Sequence, residues 1–204
     1  MKIKILAAIS ALMLTACTQN RPVGFERTES AFTIWNRNLK LQFQLDSIPG
    51  AVMVNGKANS SVTGLGGTAP IGTSGFYLPE NRAGIEIVDW NSERIILHET
   101  FPSWLIYDNK VRIDRQLTLY ADSCFLEVFD YYYGEFDKLH IATAVPSGCI
   151  CGRDTVAASY DGLSIKVVME DCLSVRPLPD QIVIDKEVFR NEPVHYKVFF
   201  ANNE

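Results

Sequence analysis

Between Val111 and Tyr133, apolar and polar residues alternate in two runs separated by a short polar break, Ala121-Asp122-Ser123. Alternation of this kind marks half-buried β-strands, so the two runs predict a β-hairpin, with residues 139–145 as a third strand. In the first run Val111, Ile113, Leu117 and Leu119 point one way, and Arg115 sits among them. Arg112, Asp114, Gln116, Thr118 and Tyr120 point the other way. Pairing Tyr120 with Cys124 would place Phe125, Glu127, Phe129 and Tyr131 on the apolar side. Glu127 would then lie diagonal to Arg115, which predicts a partly buried ion pair across the hairpin.

The remainder of the chain is written in pieces of the same size. Residues 32–35, 39–45, 51–54, 85–90, 94–98 and 104–107 precede the hairpin; 155–159, 163–169, 173–175, 181–188 and 194–201 follow it. Breaks carry Gly, Pro, Asn or Asp, and Tyr160-Asp161-Gly162-Leu163 is the clearest tight turn. Outside the first residues no window shows a helical apolar period. Many short strands at regular spacing predict an all-β protein, an antiparallel β-sandwich. Residues 58–75 (ANSSVTGLGGTAPIGTSG), with five glycines and no strand pattern, are expected to form a loop and a candidate rim of a binding groove.

The N-terminus changes the picture of where this sandwich resides. Lys2 and Lys4 head an apolar run, residues 5–14, too short to cross a bilayer. Leu14-Thr15-Ala16-Cys17 closes it and resembles the lipobox of bacterial lipoproteins. The resemblance implies cleavage before Cys17, acylation of that cysteine, and a cell-envelope location; Thr18 in place of aspartate implies the outer membrane. The expected organisation is a signal peptide over 1–16, the lipidated cysteine and a tether over 17–27, and one domain over 28–204. Removing residues 1–16 takes away Lys2 and Lys4, leaving 17 basic against 24 acidic residues and a net charge of −7. This balance, without a basic run, argues against nucleic acid and leaves membrane contact to the lipid alone. Four further cysteines, Cys124, Cys149, Cys151 and Cys172, then lie in an oxidising compartment as candidates for a disulfide or for buried thiols. The single-residue gap in Gly148-Cys149-Ile150-Cys151-Gly152 is not the usual zinc or redox spacing, so no metal is expected.

Few residues point to chemistry. His98, His140 and His195 fall on separate predicted strands without metal-ligand spacing. Ser147-Gly148 lacks the nucleophile elbow of hydrolases, and Gly64-Leu65-Gly66-Gly67 lacks the lysine and following helix of a phosphate cradle, so no cofactor is expected. Sugar binding asks for less: exposed aromatic faces and planar polar groups. Trp104, Arg112, Asp114 and Tyr120, on or beside the first hairpin strand, form the candidate ligand set. Their alternate positions recur about every 6.6 Å, a spacing suited to an extended oligosaccharide, and Arg112 offers a fork for a carboxylated sugar.

Several segments together resemble a family of exported bacterial proteins containing a domain of unknown function. They are Phe25-Glu26-Arg27 followed by Phe32-Thr33-Ile34-Trp35-Asn36-Arg37-Asn38-Leu39, then Gly75-Phe76-Tyr77, Asn109-Lys110-Val111-Arg112, residues 117–128 and residues 139–144. Asn36 stands where that family has glutamate, and Asn109-Lys110 where it has Gly-Pro. The resemblance implies a galactose-mutarotase-like supersandwich, here shortened, and a link to polysaccharide breakdown. Two functions follow as expectations: a glycan-binding or glycan-processing envelope lipoprotein, or a non-catalytic structural or protein-interaction module of the envelope.

Overall fold

A computed structural model describes residues 22–45, 52–55, 57–59, 69–72, 75–76, 84–101, 104–106, 109–146, 148–160, 163–179 and 181–202. The expected signal peptide, Cys17 and residues 18–21 of the tether lie outside these residues, and residues 24–27 of the expected tether form a strand. The described chain is all strand and turn, in three antiparallel sheets. The first runs in chain order: β1 (Gly24–Arg27), β2 (Ala31–Trp35), β3 (Lys40–Gln44), β4 (Val52–Val54) and β5 (Lys57–Asn59). Two short strands, β6 (Ala69–Gly72) and β7 (Gly75–Phe76), join the third sheet described below.

The largest sheet has nine strands. It begins with β8 (Gly84–Trp90), β9 (Arg94–Thr100), β10 (Trp104–Ile106), β11 (Asn109–Tyr120) and β12 (Phe125–Gly134). After β13 (Lys138–Pro146) leaves for the third sheet, β14 (Cys149–Ile150), β15 (Thr155–Tyr160) and β16 (Leu163–Met169) return to it. Next, β17 (Ser174–Leu178) and β18 (Gln181–Phe189) complete the third sheet, and β19 (Pro193–Asn202) re-enters the large one. The large sheet's order is β14-β15-β16-β19-β12-β11-β9-β8, with β10 on β11; the third sheet's is β17-β18-β13-β6-β7.

One apolar core draws on all three sheets. The first contributes Phe32, Ile34, Leu41 and Phe43; the large one Leu97, Leu117, Val128, Ile165 and Tyr196; the third Ile141, Ile182 and Ile184. Each set follows the period of two along its strand, which is why the alternation in the sequence is legible as an antiparallel β-sandwich. Turns between strands use residues that tolerate a left-handed backbone: Asn55 (φ 47°), Asp171 (φ 53°) and Asn191 (φ 67°). Tyr160 pairs with Leu163, so β15 and β16 form a hairpin, while Asp161-Gly162, the turn expected there, lies outside the described residues. Two expectations are corrected. The segment 58–75, expected as a loop, contains the end of β5, all of β6 and the first residue of β7, although residues 60–68 and 73–74 lie outside the described part.

The second correction concerns the hairpin register. Thr118, not Leu117, pairs with Glu127, because the turn holds Cys124 as well as Ala121–Ser123 and β12 starts one residue later. A one-residue slip reverses both faces of a strand. Leu126, Val128, Asp130 and Tyr132 therefore enter the core, and Glu127 goes outside. The buried partner of Arg115 is Asp130, directly opposite it, with Nε 2.6 Å from Oδ1. Glu99, across on β9, lies 3.5 Å from the guanidinium, Tyr196 donates its phenol to Asp130 at 3.2 Å, and Arg115 covers the Phe101 ring at 4.8 Å. Burial by itself would lower the Arg115 pKa, but the charges of Asp130 and Glu99 hold it well above its ordinary value. Burial, then Asp130, pushes the Tyr196 phenol far up.

Candidate functional site

Antiparallel pairing puts the even-numbered residues of β11 and the odd-numbered residues of β12 and β19 on the outer face of the large sheet. Thr118, Glu127 and Lys197 form one cross-strand row; Gln116, Phe129 and His195 form the next. Glu127 is the hub. Its carboxylate accepts the Tyr120 phenol at 2.7 Å, lies 3.0 Å from His195 Nε2, and has the Lys197 ammonium at 3.7 Å. His195 stacks on Phe129, with ring centres 4.4 Å apart, and its Nδ1 is 3.1 Å from Glu170. A neutral imidazole has one N–H and can serve only one of these carboxylates; a doubly protonated ring serves both. Partial burial works to raise the Glu127 pKa. Hydrogen bonds from Tyr120 and His195, with the charges of His195 and Lys197, outweigh it and hold the carboxyl below its ordinary value. The same bond to Glu127, and after it partial burial, pushes the Tyr120 phenol up.

The four ligand residues expected from the sequence are only partly brought together. Arg112 donates to Asp114 at 2.8 Å and lies 4.9 Å over the Tyr133 ring. Trp104 is on β10 opposite Val111, beside Arg112 in the chain. Tyr120 is at the far end of β11, about 27 Å away at strand rise, and belongs to the Glu127 cluster. Between them Thr118 is only 3 % exposed, so the polar row is interrupted. Lys166 and Lys197 lie over aromatic rings on the same face, at 4.8 Å from the Phe199 centroid and 5.5 Å from that of Phe125.

No family model and no curated protein matches the chain. Solved structures share its fold, two YidC structures among them. One is an active YidC insertase crystal structure with the first transmembrane domain resolved, 12 % identical, TM-score 0.54, covering 100 % of this chain and 46 % of that one. The other is YidC from Thermotoga maritima, 13 % identical, TM-score 0.53, covering 90 % of this chain and 52 % of that one. The chain spans about half the length of each. At such identities the likeness shows the fold alone.

A second location went unnoticed as a site in the sequence. A cleft of about 460 Å³ is lined by Glu26, Trp35, Arg37, Asn38, Lys40 and Asn55. Gly24 lies opposite Trp35, and the indole occupies the space a Cβ would need: one built there would meet ring atoms at 2.5 Å. Asn36 fixes the adjoining turn. Its amide nitrogen donates to Tyr120 O at 2.6 Å and Ser123 O at 2.8 Å, and its oxygen accepts from the Asn38 and Leu39 amides. Arg37 and Asn38 reach Asp122 in the same hairpin turn. The signal was the polar run Asn36-Arg37-Asn38 after a tryptophan, too short to distinguish from an ordinary connection. Among the described residues no three metal-ligating side chains converge. All four described cysteines are free thiols, and Cys124, Cys149 and Cys151 are exposed rather than buried.

Proposed function

We propose that this chain is a non-catalytic interaction module of the bacterial envelope. It is held at the membrane by lipid on Cys17, and it docks an acidic segment of a protein partner on the outer face of its large sheet. The observation that carries this reading is the pair of lysines seated on Phe199 and Phe125. A sugar stacks on an open ring face, and here those faces are taken by cations, as Tyr133 is by Arg112. The carboxylates that hydrolysis would need are also engaged: Asp114 with Arg112, Glu127 with Tyr120 and His195. What the face offers is the Lys166 ammonium over Phe199 and, beside it, that of Lys197, which also has Glu127 at 3.7 Å; ammonium donors on an aromatic bed suit carboxylates of a protein surface.

Carbodiimide coupling in intact envelopes tests this, because it joins a lysine to a carboxylate in contact with it. Lys166 and Lys197 should be found linked to acidic residues of one partner. Charge reversal of both lysines should weaken the complex roughly tenfold or more without lowering the melting temperature. Cys17→Ala should leave the chain out of the membrane fraction. Retention of the wild type by polygalacturonate, lost on the same charge reversal, would instead assign the face to an acidic glycan.

The Trp35 cleft favours a second reading, a saccharide site. An indole fixed against Gly24 supplies an apolar edge, and Glu26, Lys40 and Asn55 supply hydroxyl partners around it. A soluble form beginning at Thr18 should then show a Trp35→Ala-sensitive response on a glycan array; a blank array leaves the docking module alone.

A further inference from the structure

At the edge of the same sheet, at the end of the cross-strand row Cys149, Ala157, Lys166 and Phe199, one pair of nucleophilic groups is arranged for covalent chemistry. β14 is the outermost strand on its side of the large sheet and pairs with β15 through Cys149 opposite Ala157. Positions two apart on an extended segment share a face. The sulfurs of Cys149 and Cys151 lie 3.6 Å apart there, on exposed side chains. The segment is fastened, since the Cys151 amide donates to Thr155 O at 3.0 Å. A closed tetrahedral metal site would need four ligands, and no third ligand joins the two thiols among the described residues. A disulfide needs only the two, brought about 1.6 Å closer to reach the bonded length.

We propose that Cys149 and Cys151 form a reversible dithiol–disulfide couple that exchanges with the disulfides of small thiols or of other proteins. The thiolate of Cys149 attacks one sulfur of the incoming disulfide, forming a mixed disulfide and releasing one thiolate. Cys151, deprotonated, then attacks the Cys149 sulfur, closing the pair and expelling the second thiolate. The chain loses two electrons and two protons, and the partner disulfide becomes two thiols. In the open pair Cys151 keeps its proton above the ordinary cysteine range, chiefly through its hydrogen bond to Cys149, so it is not the first sulfur to attack. That bond is lost when Cys149 enters the mixed disulfide. Both side chains are exposed, so the closed bridge is open to attack by an outside thiolate.

The experiment equilibrates the full chain in glutathione buffers of rising oxidised fraction, quenches with acid, alkylates free thiols and maps the peptides. The peptide carrying both cysteines should pass from doubly alkylated to a closed form lighter by two hydrogens. Reduced glutathione in large excess should reverse it, while Cys124 and Cys172 remain alkylatable. Cys151→Ser should stop the exchange halfway, with glutathione retained on Cys149. The proposal falls if the wild-type pair stays open or stops at the glutathione adduct. It falls equally if Cys149 closes onto Cys172 or Cys124, or if the bridge survives excess reduced glutathione as a structural disulfide does.

Discussion

At the scale of single residues, Arg115 and Glu127 show how the same sheet treats charge on its two faces. Arg115 is buried against Asp130, Glu99 and the Phe101 ring, so each charge inside has an opposite charge or a ring beside it. Asp130→Ala would leave the guanidinium without its 2.6 Å partner and should cost about 3–5 kcal/mol in a denaturant melt. Adding Arg115→Met should recover a substantial part of that loss; full additivity of the two would show that the pair is not coupled. Glu127 makes the opposite test, one of pH. Its folded pKa lies below the reference 4.5, so its stabilising effect is complete above that value and disappears as pH falls through the folded one. Melting temperature should therefore drop on acidification below about pH 4.5, and Glu127→Gln should flatten that part of the profile. An unchanged profile in the variant would mean the cluster contributes nothing to folding.

At the scale of elements, the sequence was legible where burial imposes a period of two and opaque where a turn sets the phase. β11, β12, β16 and β19 were readable because one face of each is core. The phase of β12 was not, since its register depends on whether Cys124 belongs to the turn or the strand, and apolar Phe125 and Phe129 suit either face. β1, β6 and β7 are too short, and too rich in Gly and Pro, for alternation to register. Arg112 and Asp114 were recognisable as neighbours on one polar face, but the Glu127 cluster needs His195 from a strand far along the chain, which no local pattern announces. The turn itself is tied from the first sheet by Asn36, whose amide bridges Tyr120 O and Ser123 O. Asn36→Asp replaces that donor with oxygen facing two carbonyls, and should cost roughly 2–4 kcal/mol with loosened amide protection at Ala121–Cys124. Asn38→Ala, whose bond to Asp122 is exposed, should cost no more than about 0.5 kcal/mol.

At the scale of the whole molecule, the order of strands in the large sheet has a consequence for how the chain reaches its fold. β19 follows every other described strand in sequence, yet it lies between β12 and β16, with Val194, Tyr196, Val198 and Phe200 in the core. Until residues 193–202 arrive, the sheet is two fragments with an open seam. The two facing edges, β12 and β16, expose unpaired backbone that invites strands from other chains. Such distant pairing is slow to form, so an aggregation-prone half-assembled species should persist during folding. A chain shortened before Pro193 should be soluble only in denaturant. A synthetic peptide of residues 193–202 added during refolding should fill the gap as a donated strand and restore a cooperative melt. Strand β19 thus acts as a latch for the sheet: the large sheet stays unzipped, and open to chaperone capture, until residues 193–202 are delivered.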